Sequence, residues 1–186
     1  MSVNKKRCGL VVISGPSGCG KSSICKELTK NPQIKQSVSY TTRKPREGER
    51  DGVDYYFVKR NEFEALIRNN KFIEYAEYCG HLYGTPIGPV EEAVGEKKII
   101  LLVIDVQGAM QIMKKMPDSI HIFIMPPDVE TLKFRLKNRL TEDEDTINKR
   151  IVAARKEMES SRHYDYCVIN DRLDDAITEI EEILQI

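Results

Sequence analysis

The sequence is short of most features that would assign it to a compartment or a surface. Its five cysteines (Cys8, Cys19, Cys25, Cys79 and Cys167) contain no Cys-x-x-Cys pair and no metal-ligand spacing. That excludes a thiolate metal site or a dithiol redox motif and reads as reduced thiols in a cytoplasmic protein. Only three histidines occur, His81, His121 and His163, too far apart to form a metal motif. Neither charge sign prevails: 29 Lys and Arg balance 29 Asp and Glu, so nothing recommends a nucleic acid or an anionic membrane as partner. The longest apolar runs are far too short to span a bilayer, and the basic stretch from Met1 to Arg7 leads into no signal-peptide segment. Internal repeats, low-complexity tracts and long linkers are lacking too, and no obligatory protein partner is suggested. What remains, 186 residues, suits one α/β domain with room for an inserted lobe and a real core.

Against this plain background one stretch stands out, Gly15-Pro16-Ser17-Gly18-Cys19-Gly20-Lys21-Ser22. It has the glycine, glycine-lysine-serine spacing of a phosphate-binding loop. Leu10-Val11-Val12-Ile13 before it reads as a buried parallel strand, and Ser22 to Lys30 after it reads as helix. Glycines let consecutive N–H groups face one anion, and the new helix adds unpaired donors and its positive dipole end. Ser23 follows in that first turn. Lys21 can reach outer phosphates and the Ser22 hydroxyl can ligand Mg²⁺. The pattern implies a nucleoside triphosphate site.

A second distinctive stretch runs from Ser37 to Phe57. It begins with strand-like alternation and is then broken by Pro45, Gly48 and Gly52. Arg43 and Arg46 flank the proline, so a stiff turn can present two guanidinium groups to one phosphate; a charge run in a loop is equally a solvated surface. Asn61 with Glu64 at capping-box spacing predicts a short helix bearing Phe63, Leu66 and Ile67. Phe72 to Tyr78 and a strand through Tyr83 follow, with Glu74 and Tyr78 on one face. Glu74 on such a strand is either a site carboxylate or a solvated edge residue.

Pro89 opens a helix to about Val94. Ile99 to Ile104 forms a core strand ending in Asp105, where a phosphate-loop enzyme orders Mg²⁺ and its waters; the alternative is a cap for a helix over 107–116. Ile120 to Ile124 is another strand. Asp128 caps a helix carrying Leu132, Phe134 and Leu136, with Arg135 and Arg139 one turn apart. After the acidic stretch 141–145 a long helix runs from Thr146 to about Ser161 with Arg150 and Arg155. Tyr166 to Ile169 is the last strand, ending at Asn170-Asp171, and a closing amphipathic helix follows. About five core strands interleaved with helices argue a parallel sheet covered on both faces, a three-layer α/β fold. The expected organisation is a single domain over 1–186. Its core is 1–36, 90–138 and 147–186, its inserted strand-rich lobe 37–89 and its lid 139–146.

Taken together these motifs resemble the guanylate kinases over nearly the whole chain. The resemblance rests on the phosphate loop, the Ser-Tyr-Thr-Thr-Arg-Lys-Pro-Arg run, Phe72-Ile73-Glu74-Tyr75, Tyr83-Gly84-Thr85, Asp105-Val-Gln-Gly108, the arginines about the acidic stretch, and Asn170-Asp171. It implies transfer of the γ-phosphoryl of MgATP to GMP, giving ADP and GDP, with dGMP as an alternative acceptor. It implies that Arg43 and Arg46, with Tyr55 and Tyr83, hold the GMP phosphate in the lobe, and that Ser39, Glu74 and Thr85 read guanine, with Asp105 beside them. Arg135, Arg139 and Arg150 would belong to the lid and bring positive charge to the transferring phosphoryl, and Asn170 would touch the adenine end of ATP. Two positions depart from the pattern. Val103 stands where the family often has an acidic residue, and Leu140 where it commonly has glycine after the lid arginine. A guanylate-kinase-like protein-binding module, or a kinase of another small phosphate ester, would share much of this sequence.

Overall fold

The structure is a computed structural model that describes residues 9–78, 80–137 and 144–186, with side chains from 150 onward in the last segment. The elements run β1 (Leu10–Ser14), α1 (Lys21–Leu28), β2 (Ile34–Gln36), β3 (Tyr40–Thr41), β4 (Tyr56–Phe57), α2 (Arg60–Arg68), β5 (Phe72–Tyr78), β6 (His81–Pro86), α3 (Ile87–Gly95) and β7 (Ile99–Val103). They continue with α4 (Val106–Lys115), β8 (Ile120–Met125), α5 (Val129–Lys137), α6 (Glu144–Glu159), a single 3₁₀ turn, β9 (Tyr166–Ile169) and α7 (Leu173–Leu184).

Five strands form a parallel sheet in the order β2-β7-β1-β8-β9. The continuous apolar run of β1 has a simple cause: all five of its residues are buried, because helices cover both faces. Period-two alternation divides it. Val11 and Ile13 join Ile24, Cys25 and Leu28 of α1 and Ala176, Ile180 and Leu184 of α7 on one face. Leu10 and Val12 join Val90 and Ala93 of α3 and Ala109 and Ile112 of α4 on the other. The expected three-layer α/β fold with about five parallel strands is the fold observed.

A second sheet, β4-β3-β6-β5, stands beside the first. Its β5 and β6 pair antiparallel, and Phe63 of α2 packs with Phe72 and Leu82 beneath it. Ile73 is different: it packs into the main core with α3 and α4, so β5 belongs to both bodies of packing.

Several boundaries differ from the sequence expectation. Helix α1 begins at Lys21 and stops at Leu28. For α2 the cap is Lys59, whose N–H donates to Glu62 Oε2 at 3.0 Å, not Asn61 with Glu64; Glu64 instead meets Arg60 Nε at 3.2 Å. Two glutamates two residues apart offered two capping registers, and the one closed by Glu62 is formed. Strand β2 is too short to show a period. Helix α6 starts at Glu144, two residues before Thr146, and ends at Glu159, giving way to the 3₁₀ turn Ser160–His163. Residues 144–146 of the expected lid are therefore helical. The rest of that segment, with Arg139 and Leu140, lies outside the described residues, as do Cys8 and Cys79.

Candidate active site

The loop between β1 and α1 is shaped by glycine. Gly20 has φ 98°, and a Cβ on it would collide with the Asn170 amide; Gly15 has φ 142°, and a Cβ there would strike the Ile124 carbonyl. Asn170 is buried beyond β9 and donates from Nδ2 to Cys19 O at 2.8 Å, bracing the loop from behind. Lys21 Nζ donates to Gly15 O at 2.6 Å and Pro16 O at 3.0 Å, so the ammonium lies curled over the loop. Arg150 of α6 donates from Nη2 to Ser17 Oγ at 2.6 Å.

Within the loop, contributions are unequal. Pro16 has no N–H to offer, and the Cys19 N–H turns back to Pro16 O at 3.2 Å, with its thiol buried in the core. Gly15, Ser17, Gly18, Gly20, Lys21 and Ser22 line the main cleft. Ser23 lines a second concavity, together with Arg135, Asn170 and Asp171. Arg135 donates there to Asn170 O at 3.0 Å and Asp171 O at 3.3 Å. It thus lines a different concavity from Arg43 and Arg46.

The opposite wall of the main cleft comes from the second sheet. Arg43, Arg46, Tyr55, Tyr83 and Glu74 all face the phosphate loop across it. The Arg43 guanidinium lies 5.5 Å from the Tyr55 ring centre and is gripped by Glu49, Nη1 to Oε2 and Nη2 to Oε1, both at 2.9 Å. Glu49 Oε2 also accepts the Arg46 N–H at 2.7 Å. Burial works against both charges, yet the pairing outweighs it: Arg43 is raised and Glu49 lowered from their ordinary values. The solvated-surface alternative for Arg43 does not hold, since its side chain is only 12% exposed.

Deeper in the cleft a chain of hydroxyls leads to a carboxylate. Ser39 Oγ and Thr85 Oγ1 are 3.3 Å apart, and Thr85 donates to Glu74 Oε1 at 2.6 Å. Although β5 is an edge strand, Glu74 is only 3% exposed. Burial pushes its pKa up to about 7, with the nearby Asp105 charge adding to the rise and the Thr85 hydrogen bond opposing it. Asp105 lines the same cleft and accepts the Gly108 N–H at 2.9 Å, so one carboxylate both caps α4 and faces the site. Val103 also lines the cleft.

Two carboxylates were not anticipated as site residues. Glu49 sits three residues after Arg46, and only the folded loop turns it back on Arg43. Glu157 of α6 lines the cleft and accepts from Tyr78 O–H at 3.1 Å, and burial raises its pKa. Period-two spacing puts Tyr78 on the same face as Glu74, but no local signal marks Glu157.

A strand-loop-helix phosphate cradle at the carboxyl end of a central parallel strand defines a nucleotide-binding α/β protein of the phosphate-loop class. The fold alone is shared with shikimate kinase from Bacteroides thetaiotaomicron, at 12% identity and a TM-score of 0.50 over 95% of this chain and 98% of that one. A far stronger likeness narrows the class. The guanylate kinase family model matches residues 7–186. The guanylate kinase of Lactobacillus delbrueckii subsp. bulgaricus is 49% identical over 94% of this chain and 87% of its own, and that of Bacillus anthracis 48% identical over 94% and 86%. The crystal structure of guanylate kinase from Anaplasma phagocytophilum superposes with a TM-score of 0.81 at 37% identity, covering 95% of this chain and 84% of that one. The chain belongs to the guanylate kinase family.

Proposed function

We infer that this protein transfers the γ-phosphoryl group of ATP to GMP, giving ADP and GDP. The observation that carries the reading is the pairing of two unlike walls on one cleft. A backbone phosphate cradle faces a pair of arginines and a buried hydroxyl-carboxylate chain. Guanine presents an N1–H and an exocyclic NH₂ side by side, two donors that suit the Glu74 carboxylate, while Ser39 and Thr85 complete its polar surround. Arg43 and Arg46, with the Tyr55 and Tyr83 hydroxyls, hold the acceptor phosphate. The loop N–H groups of Gly15 to Ser22 hold the donor's phosphates.

In-line transfer needs positioning and charge neutralisation more than covalent chemistry. On this reading Lys21 leaves the Gly15 and Pro16 carbonyls for the phosphates, and Arg150, already at the loop, supplies a second cation. Arg135 and Asn170 lie on the side of the loop suited to the rest of ATP. The assignment of Arg139 to the transferring phosphoryl rests on the family pattern. Mg²⁺ fits this donor set: Ser22 and Asp105 offer oxygens to the cleft, and the described residues hold no cage of three or more acidic, histidine or cysteine groups. A cation that keeps its waters and binds substrate phosphates needs no such cage. Ser22 would hold it directly and Asp105 through water, and the ion would neutralise charge on the transferring group. Exclusion of water from the closed cleft prevents ATP hydrolysis.

Among the described residues no helix is long and apolar enough to cross a membrane. With the buried free thiols Cys19 and Cys25, this favours a reducing, cytoplasmic setting. The test is an ATP-dependent kinase assay over a panel of nucleoside monophosphates and other small phosphate esters. Turnover with GMP, and with dGMP, far above AMP, CMP and UMP is expected; equal turnover across bases, or none, rejects the reading.

A further inference from the structure

Helix α4 carries a glycine where its backbone needs none. Gly108 is the third residue of the helix and does not have a positive φ. In such a place alanine would favour the helix. The reason for glycine lies across the cleft wall. A Cβ built on Gly108 would fall inside van der Waals contact with Glu74 Oε2 and 3.0 Å from Glu74 Cδ. The next atom out, Ile104 Cδ1, would be at an ordinary 3.4 Å.

Glu74 has little freedom to give way. Its Oε1 is tied to the Thr85 hydroxyl at 2.6 Å. The strand on either side of it is tied to the same helix. Lys115 Nζ donates to Ile73 O at 2.6 Å, Gln111 Nε2 to Tyr75 O at 2.7 Å, and the Tyr75 N–H to Gln111 Oε1 at 3.4 Å. With the backbone of β5 held against α4, a side chain at 108 can only be accommodated by rotating the carboxylate away from Thr85.

We propose that Gly108 is a specificity-determining position: its missing side chain leaves the space in which the Glu74 carboxylate is held toward the base. This rests on the assignment of Glu74 as the guanine reader. Gly108 acts through Glu74 and is a positioning residue. Its N–H, which caps onto Asp105, survives replacement by alanine, so the helix start is not disturbed.

The experiment compares kcat/KM for GMP and AMP, alongside thermal unfolding, in four proteins. These are the wild type, Gly108→Ala, Glu74→Asp, and the pair together. Gly108→Ala is expected to stay folded and to narrow the GMP-to-AMP ratio by about tenfold or more. In the Glu74→Asp background the shorter carboxylate no longer meets the new methyl. The same Gly108 change should then alter the ratio by less than about threefold. An unchanged ratio in Gly108→Ala, or an equal loss in both backgrounds, overturns the proposal. Should Gly108→Ala fail to fold, folding of the double variant supports the clash with Glu74, and failure of both overturns it. Glu74→Gln, measured in parallel, separates the two layers. If it leaves the ratio unchanged, the assignment of Glu74 fails. If it narrows the ratio while Gly108→Ala does not, only the role of Gly108 falls.

Discussion

The two walls of the cleft are built on opposite plans. The wall proposed for the donor phosphates is a single run of chain, Gly15 to Ser22, in which backbone groups would do the binding and side chains are mostly kept small. The wall proposed for the base takes Glu74 from β5, Thr85 from β6 and Ser39 from the connection just ahead of β3, and side chains would do everything there, aligned by contacts of 2.6 and 3.3 Å. Backbone donors recognise a phosphate whatever it is attached to, so on the proposed function the first wall sets the reaction and not the substrate. Side-chain donors and acceptors distinguish one base from another, so on the same proposal the second wall sets the substrate and not the reaction.

If that division is right, damage to each wall should leave a different signature. The largest effect is expected from Lys21→Met. Loss of an ammonium aimed at the transferring charge should lower kcat by at least about 3 kcal/mol, comparable with removal of one oxyanion donor. Whatever activity remains should keep the wild-type preference for GMP over AMP. Steady-state kinetics with both acceptors and an unchanged circular dichroism spectrum check this; a kcat within tenfold of wild type defeats it.

Glu74→Gln should do the converse. It keeps the shape but replaces an acceptor oxygen with a donor amide, leaving guanine's donors poorly matched. The GMP-to-AMP ratio in kcat/KM should narrow by about two orders of magnitude, taking roughly 3 kcal/mol for a charged hydrogen bond. Turnover of AMP should change little.

A third effect separates the walls by pH. The Glu74 pKa rises from 4.5 in the unfolded chain to about 7 in the ligand-free fold. Between those values the folded state binds the extra proton. Its stability contribution is therefore full below the unfolded pKa and is lost as pH rises through the folded one. From about pH 5 to about pH 8 this group should weaken the ligand-free protein by about 2 kcal/mol. Denaturant unfolding of wild type and Glu74→Gln over that range tests it, because the variant lacks this component of the slope. An identical pH profile for the two proteins rules it out.

The smallest effect belongs to the brace behind the phosphate loop. Asn170→Ala removes the buried donor to Cys19 O and leaves that carbonyl without its partner amide. A loss of about 1–2 kcal/mol in stability is expected. ATP affinity should weaken by calorimetry and GMP affinity should not. Equal weakening of both would blur the distinction between the walls.

The same contrast explains what could be read from the sequence. A contiguous motif is legible because all its geometry is local: strand, glycines and helix start stand in the order the phosphate needs. The parallel sheet was legible too, since burial on both faces leaves continuous apolar runs such as Leu10 to Ile13. Helix ends were displaced by a residue or two where rival caps were available, as at Lys59 and Asn61. Glu49 and Glu157 escaped notice because their roles depend on how a loop folds back and on which helix faces the cleft. No period or spacing encodes either. Gly108 closes the Asp105-Val-Gln-Gly108 motif, but its use is visible only once a strand 34 positions earlier is packed against it.

The row of side chains on α4 has one further consequence. Gln107, Gln111 and Lys115 follow one another at single-turn intervals and engage the backbone of β5 at Glu77 O, at Tyr75 N and O, and at Ile73 O. Because β5 is the last strand of its sheet, those groups would otherwise stand open as a template for strand addition by another chain. The helix thus closes the outer margin of the sheet against intermolecular pairing. Replacing Gln111 or Lys115 by alanine should leave the monomer folded but raise its tendency to self-associate on gentle heating, a change that light scattering would register.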